Sequence, residues 1–197
     1  TARNGLKILM IPRDAMTYLS PVSWDGTVRD EVYDHISLTM FSYGDGYVKS
    51  CENMVREVEE MFKGLHVDHY MATDLSAVGI LNEAVGGVTV TIPAGLSAAD
   101  PRFQEGSRIT LKGDQAEEFV RYRDTKEDHS ALYRTLRSQE FITGFFDAAQ
   151  KMAETDSQTV PRLFELTEEY MITDMAKDQY MGMAADILAS EDLTSDH

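Results

Sequence analysis

Residues 66–92 read HVDHYMATDLSAVGILNEAVGGVTVTI, and the change of period along this stretch decides the fold. Residues 66–73 read as a strand. Thr73 or Asp74 supplies a side-chain oxygen for the first unpaired N–H groups of a helix that runs through Val85, and Gly86 and Gly87 end it. Val88-Thr-Val-Thr-Ile92 is β-branched, suited to a pleated strand, and closed by Pro93, which has no N–H to give a ladder. Strand, helix, strand in that order predicts an α/β protein. The expected architecture is a central mixed β-sheet flanked by helices on both faces, an α/β/α sandwich, forming a single domain across residues 1–197.

Upstream, Val48, Cys51, Val55, Val58 and Phe62 recur at spacings of three and four, predicting an amphipathic helix that ends at Gly64. Cys51 falls on that stripe as a small core residue. Residues 6–11 are a mostly apolar run stopped by Pro12, expected to be a buried strand whose end presents Arg13 and Asp14. Strand ends of α/β sheets are where ligands bind. Residues 15–33, with Pro21, Asp25 and Gly26, read as a loop, and residues 1–5 as a hairpin turn without a preceding partner strand. The expectation is that the domain is N-terminally incomplete in residues 1–197. Downstream, residues 155–159 read as a polar linker, Pro161 suits a first helical turn, and Thr173 caps a last helix reaching Leu188. Residues 155–197 thus form a helical C-terminal part of the same domain.

Arg121, Arg123, Arg134 and Arg137 lie close together in a chain with 34 Asp plus Glu against 18 Lys plus Arg. Guanidinium forks match phosphate and carboxylate bidentately, so a shared anion is the simplest common use for them. Asp114 and Glu117 read as a capping box, and residues 119–123 alternate as extended chain does, which would aim Arg121 and Arg123 the same way. Ser130 then caps a helix carrying Leu132, Leu136, Phe145, Ala149 and Met152 on its apolar positions. Arg134 and Arg137 fall near its start on one face. Cations there oppose the helix dipole by about 0.3–1 kcal/mol each, a cost that an anion offsets. The competing reading is a set of surface ion pairs with the abundant carboxylates.

A net charge of −16 excludes a general nucleic-acid binder, which needs a broad basic surface to displace counterions. Hydrophobic content of 43% and aromatic content of 9% describe an ordinary globular chain. No apolar run reaches the about 18 residues that span a bilayer. Residues 1–197 contain no P-loop, no GxGxxG, no HExxH and no GxSxG. His66 and His69 would face opposite sides of a strand and so make no zinc pair. The C-terminal methionines Met171, Met175, Met181 and Met183 read as adaptable packing.

Several segments, in this order, resemble the LytR-CpsA-Psr family. They are Ile11-Pro12-Arg13-Asp14, Asp34-His35 through Ser42-Tyr43-Gly44, Val67-Asp68-His69-Tyr70, Val85-Gly86-Gly87-Val88, Phe119-Val120-Arg121-Tyr122-Arg123 and Arg134-Thr-Leu-Arg137-Ser-Gln139-Glu-Phe141. The resemblance implies an extracytoplasmic, cell-envelope domain tethered by an N-terminal membrane helix that residues 1–197 do not contain. It implies a phosphotransferase that moves a glycopolymer from a polyprenyl-pyrophosphate carrier to peptidoglycan, with the lipid in an apolar tunnel and the pyrophosphate at its mouth. Arg13, Arg121, Arg123, Arg134 and Arg137 match the family's arginines, and Gln139 matches a polar position beside them. Asp14 either orients Arg13 or acts as a base, or is simply a turn residue. His35 is either a proton shuttle or a packed histidine. Magnesium (Mg2+) is implied too, on family aspartates that precede this sequence, so its ligands fall on no residue here. His35-Ile36-Ser37 replaces a common Lys-Ile-Asn, and Tyr133 replaces a glycine. Two rivals follow: a non-catalytic carrier-lipid binder, and a hydrolase of the same pyrophosphate.

Overall fold

The computed structural model describes residues 7–23, 25, 27–41 and 47–188. The expected turn over residues 1–5 and the Ser42-Tyr43-Gly44 motif lie outside them. In chain order the elements are β1 (Met16–Leu19), β2 (Val32–His35), α1 (Leu38–Phe41), α2 (Tyr47–Met61), β3 (Met71–Thr73), α3 (Ser76–Ala84), β4 (Thr89–Thr91), β5 (Arg108–Thr110), α4 (Gln115–Arg121), α5 (Ser130–Ala153), α6 (Thr159–Thr167), β6 (Met171–Thr173) and α7 (Lys177–Leu188). The α/β class is the one the sequence predicts. Within it the described strands pair two by two, β1 with β2, β3 with β6 and β4 with β5. The chain divides into two compact units, one of Ile11–Ala72 with Met171–Met175, the other built on Thr73–Tyr170 and the segment from Ala176. Among the described residues no helix is long and apolar enough to cross a membrane.

The first unit opens on a hairpin where the sequence predicted a loop. β1 and β2 are antiparallel with Tyr18 opposite Tyr33 and Met16 opposite His35, and the ladder continues to a Val22–Val28 bridge. Its turn is held by the Asp25 carboxylate accepting from Thr27 N at 3.0 Å. Leu19 is fully buried while Tyr18 is 60% exposed, the alternation expected of a two-faced strand. The expected strand over residues 6–11 does not form in the described part. Residues 7–11 are unpaired, with Ile8 and Leu9 exposed, because an apolar run becomes a strand only where a neighbour completes its hydrogen bonds. The helix predicted from Val48 is α2, but Val48 and Phe62 are exposed and the buried side holds Ser50, Cys51, Asn53 and Glu57. Of the strand expected over residues 66–73, only Met71–Thr73 pairs. Thr173 sits in β6 instead of capping the last helix, its hydroxyl donating to the Tyr70 carbonyl at 2.6 Å.

In the second unit β4 and β5 form an antiparallel pair, Val90 opposite Ile109. Val88, Val90, Ile92, Leu96, Phe103, Leu111, Phe119 and Phe141 join in one buried cluster. Phe103 and Phe119 meet edge to face at 6.4 Å. Asn82 is fully buried at the end of α3; its amide donates to the Leu111 carbonyl (2.9 Å) and its oxygen accepts from Val88 N (2.8 Å). That places the Gly86-Gly87 turn against β5. A Cβ on Gly87 would lie 2.7 Å from the Leu111 carbonyl oxygen, and its φ of +96° is one that L side chains avoid. α5 crosses β4 closely enough that a Cβ on Gly144 would meet Val88 at 2.7 Å.

Candidate functional site

The arginine segment folds as a helix–loop–helix, contrary to the extended stretch expected over residues 119–123. Gln115–Arg121 is α4, with Glu117 and Glu118 in its first turn and Arg121 in its last, the charge order that suits the dipole. Ala116, Phe119 and Val120 recur at helical spacing and are buried, so core burial selects the helix over alternation. The capping box does not form. Asp114 makes no cap hydrogen bond and pairs instead with Arg102 at 2.9 Å. At the other helix, Ser130 is the first helical residue and His129 precedes it with φ +63°, the one non-glycine left-handed residue among the described ones.

Arg137 is the organising residue. Its side chain is buried, Nε donates to the Phe119 carbonyl at 2.8 Å, and a terminal nitrogen donates to the Tyr122 carbonyl. Those carbonyls belong to the C-terminal end of α4, whose last oxygens have no helical partner, so the guanidinium caps one helix from the side of another. Burial lowers the Arg137 pKa first and the nearby Arg134 charge lowers it further, while Tyr122 and Glu127 act in the opposite sense. Arg123 lies in the connecting loop and donates from Nε to Ser130 Oγ at 3.0 Å. Arg121 is largely exposed and pairs with Glu117 one helical turn back, at 2.7 Å. Arg123, Arg134 and Arg137 are thus gathered at the α4–α5 junction, with Arg121 on the adjoining helix end. Gln139 is exposed on α5. Leu132 and Leu136, expected in the core, are each 51% exposed, and Tyr133 beside them is 44% exposed. The junction therefore carries cationic and apolar surface within the same two turns of α5.

Arg13 and Asp14 lie in the other unit, in the turn before β1, with Arg13 Nε 3.7 Å from Asp14 Oδ1. The Arg13 carbonyl accepts from Ser37 N at 3.2 Å, which ties this turn to the base of the hairpin. His35, at the same base, has Nδ1 2.9 Å from Asp34 Oδ1. The Asp34 pKa is lowered, first by the His35 backbone N–H and then by its ring. His66 and His69 each meet a carboxylate, Glu59 at 3.0 Å and Asp174 at 3.4 Å. Asp174 also accepts from Tyr70 N, the largest cause of its lowered pKa. Among the described residues no three His, Cys, Asp or Glu side chains converge as metal ligands. Asp14, the carboxylate beside a family-matched arginine, has a guanidinium against it.

Sequence reasoning missed three groups. Asn82 and the Asp100–Arg102–Asp114 chain act through partners that no local pattern displays. Glu57 is fully buried, Oε1 accepting from Arg56 at 3.0 Å, on a buried side of α2 that shares only Cys51 with the apolar stripe. A buried polar face on α2 is the signal that a strictly apolar stripe search passes over.

The geometry defines an α/β protein with a cationic junction between two helices and a further arginine, Arg13, at the foot of a hairpin. Comparison with known proteins gives this class its family: residues 1–195 match the LytR_cpsA_psr family, and the chain belongs to it. It is 27% identical over 120 residues to the polyisoprenyl-teichoic acid–peptidoglycan teichoic acid transferase TagU of Halalkalibacterium halodurans, a match that takes in 61% of this chain and 34% of that protein. Among solved structures, gbs0355 from Streptococcus agalactiae superposes with a TM-score of 0.67 at 18% identity, covering 89% of this chain and 58% of that one. TagT of B. subtilis gives 0.60 at 22% identity, covering 92% and 62%. The chain thus spans about a third of the TagU relative and about three fifths of these solved chains.

Proposed function

We propose that this chain is the catalytic domain of a phosphotransferase that moves a glycopolymer from a polyprenyl-pyrophosphate carrier to peptidoglycan, at the outer face of the cell membrane. Family membership and the transferase named TagU support the reaction class. The observation that carries the carrier lipid is the α4–α5 junction, where Arg121, Arg123, Arg134 and Arg137 adjoin exposed Leu132, Tyr133 and Leu136. An anionic head group on a polyprenyl tail needs this combination of guanidinium forks and apolar surface. Arg13 serves the same pyrophosphate, Gln139 supplies a neutral donor, and Asp14 orients Arg13. His35 is a proton-carrying candidate because its ring is exposed and held by Asp34. Phosphoryl transfer depends on positioning and charge stabilisation more than on a covalent group from the protein, which suits a site made of arginines. Magnesium belongs to this reading as a cofactor with ligands outside the described residues, and both compact units belong to one domain.

Replacing Arg121 or Arg123 with alanine tests the reading. Arg121 makes an exposed pair one turn apart, worth about 0.3–0.5 kcal/mol, so its loss leaves thermal unfolding nearly unchanged. Binding of a polyprenyl pyrophosphate is expected to fall at least tenfold in either variant, as expected for loss of a charge-assisted hydrogen bond. Unchanged binding in both would leave the cluster as ion pairs and caps. Binding without transfer, in a protein supplied with magnesium and peptidoglycan, would identify a carrier-lipid binder.

A further inference from the structure

The outward face of the β1–β2 hairpin is built from aromatic rings that the packing does not use. Tyr18 and Tyr33 stand opposite each other, ring centroids 5.0 Å apart and planes inclined by 52°, and they are 60% and 58% exposed. The next rung on the same face, about 7 Å along the strands, is Met16 opposite His35. Paired exposed rings beside an exposed methionine and histidine give this face the aromatic and apolar surface on which a ligand can pack. The ladder runs on to the Arg13 turn: Ile36 N donates to the Ala15 carbonyl at 2.8 Å and Ser37 N to the Arg13 carbonyl at 3.2 Å.

We propose that this face is a track for a strand of uncharged N-acetylated pyranoses, the chemistry of the peptidoglycan acceptor, stacked on Tyr18 and Tyr33 and running toward Arg13. Pyranose rings offer apolar C–H faces to an aromatic face, and the exposed Asp34–His35 pair offers hydrogen-bond partners to hydroxyl and acetamido groups at the strand's edge. Charge selects the acceptor over the donor polymer. The hairpin, residues 16–35, carries Asp25, Asp30, Glu31 and Asp34 against Arg29, a net negative field that disfavours a phosphate-bearing glycopolymer and is indifferent to neutral sugars. The inference deepens the transferase reading and rests on it for the direction of the strand, while the sugar site itself stands on the tyrosines.

The test measures binding of chitotetraose, an uncharged oligomer of N-acetylglucosamine, to the full chain and to Tyr18→Ala, Tyr33→Ala, the double variant and the two Tyr→Phe variants. Polyprenyl-pyrophosphate binding is measured on the same samples. Each alanine is expected to weaken sugar binding about tenfold and each phenylalanine to retain most of it, with lipid binding unchanged throughout. Loss of the Tyr18–Tyr33 contact is expected to lower the unfolding midpoint by only a few degrees in the alanine variants, and the phenylalanine variants to keep it. A parent chain that does not bind chitotetraose, or a double variant that binds it as the parent does, overturns the track. Tyrosine-dependent binding of free anionic teichoic polymer in place of chitotetraose overturns the acceptor assignment. Failure of lipid binding alongside tyrosine-dependent sugar binding would instead strike the carrier reading and leave the sugar track standing.

Discussion

Replacing Arg137 with alanine removes a buried guanidinium that closes the end of α4 from α5. Two charge-assisted hydrogen bonds are lost, to the Phe119 and Tyr122 carbonyls, and each such bond is worth about 1.5–3 kcal/mol. Water can reach part of the opened space, since Tyr122 is only half-buried, so a net loss of about 3 kcal/mol is expected. For a chain of this length each kcal/mol moves the unfolding midpoint by about 2–4 °C, giving a fall of about 6–12 °C. Differential scanning calorimetry reads it directly. Arg137→Lys keeps the charge but offers one compact head in place of a fork, so it should recover about half of the loss by satisfying one carbonyl. A midpoint within 2 °C of the parent in Arg137→Ala would refute the capping role and return Arg137 to ligand binding alone.

Gly87→Ala meets the Leu111 carbonyl oxygen at 2.7 Å and must hold φ +96°, so a loss of about 2–4 kcal/mol is expected in chemical denaturation. Asp100 has its pKa lowered, first by the Arg102 side chain and then by its backbone N–H. Between the folded and unfolded pKa values the unfolded chain binds more protons, so this stability is full above about pH 4 and fades as the pH falls further. Asp100→Asn should therefore flatten the acid side of the stability profile measured by urea titration. Chelation of magnesium is expected to abolish transfer by the whole protein while leaving thermal unfolding of residues 1–197 unchanged, and activity that survives EDTA would remove the metal from the reading.

The sequence exposes those parts of the fold that rest on local period and punctuation. α3 ends where Gly86 and Gly87 say it must, the β-branched run becomes β4, and Pro161 sits in the first turn of α6. What stays hidden depends on partners distant in the chain. Residues 119–123 satisfy alternation and helix equally over so short a window, and burial of Phe119 and Val120 decides between them. The hairpin of β1 and β2 is hard to read because, although Asp25-Gly26 in its connection is a turn signature, Pro21 interrupts the strand pattern before it. Residues 7–11 fail for the opposite reason, since composition alone names a strand that pairing has to make.

The same division runs through the arginines. Their density in an acidic chain points to an anion, and the cost of placing cations near the start of α5 strengthens that argument. For Arg137 the structure supplies a different compensation, the carbonyl end of α4, through bonds spanning 18 and 15 residues. Arg121 and Arg123 are exposed, one tied to a carboxylate and the other to a hydroxyl. These are bonds that a phosphate oxygen can replace at small cost, whereas a buried Phe119 carbonyl and a half-buried Tyr122 carbonyl cannot be abandoned so cheaply. On the proposed reading a ligand anion at this junction would be gripped by Arg121 and Arg123, while Arg137 holds the two helices that present them. Loss of lipid binding in an Arg137 variant would then follow loss of the junction, and only the exposed pair separates binding from folding.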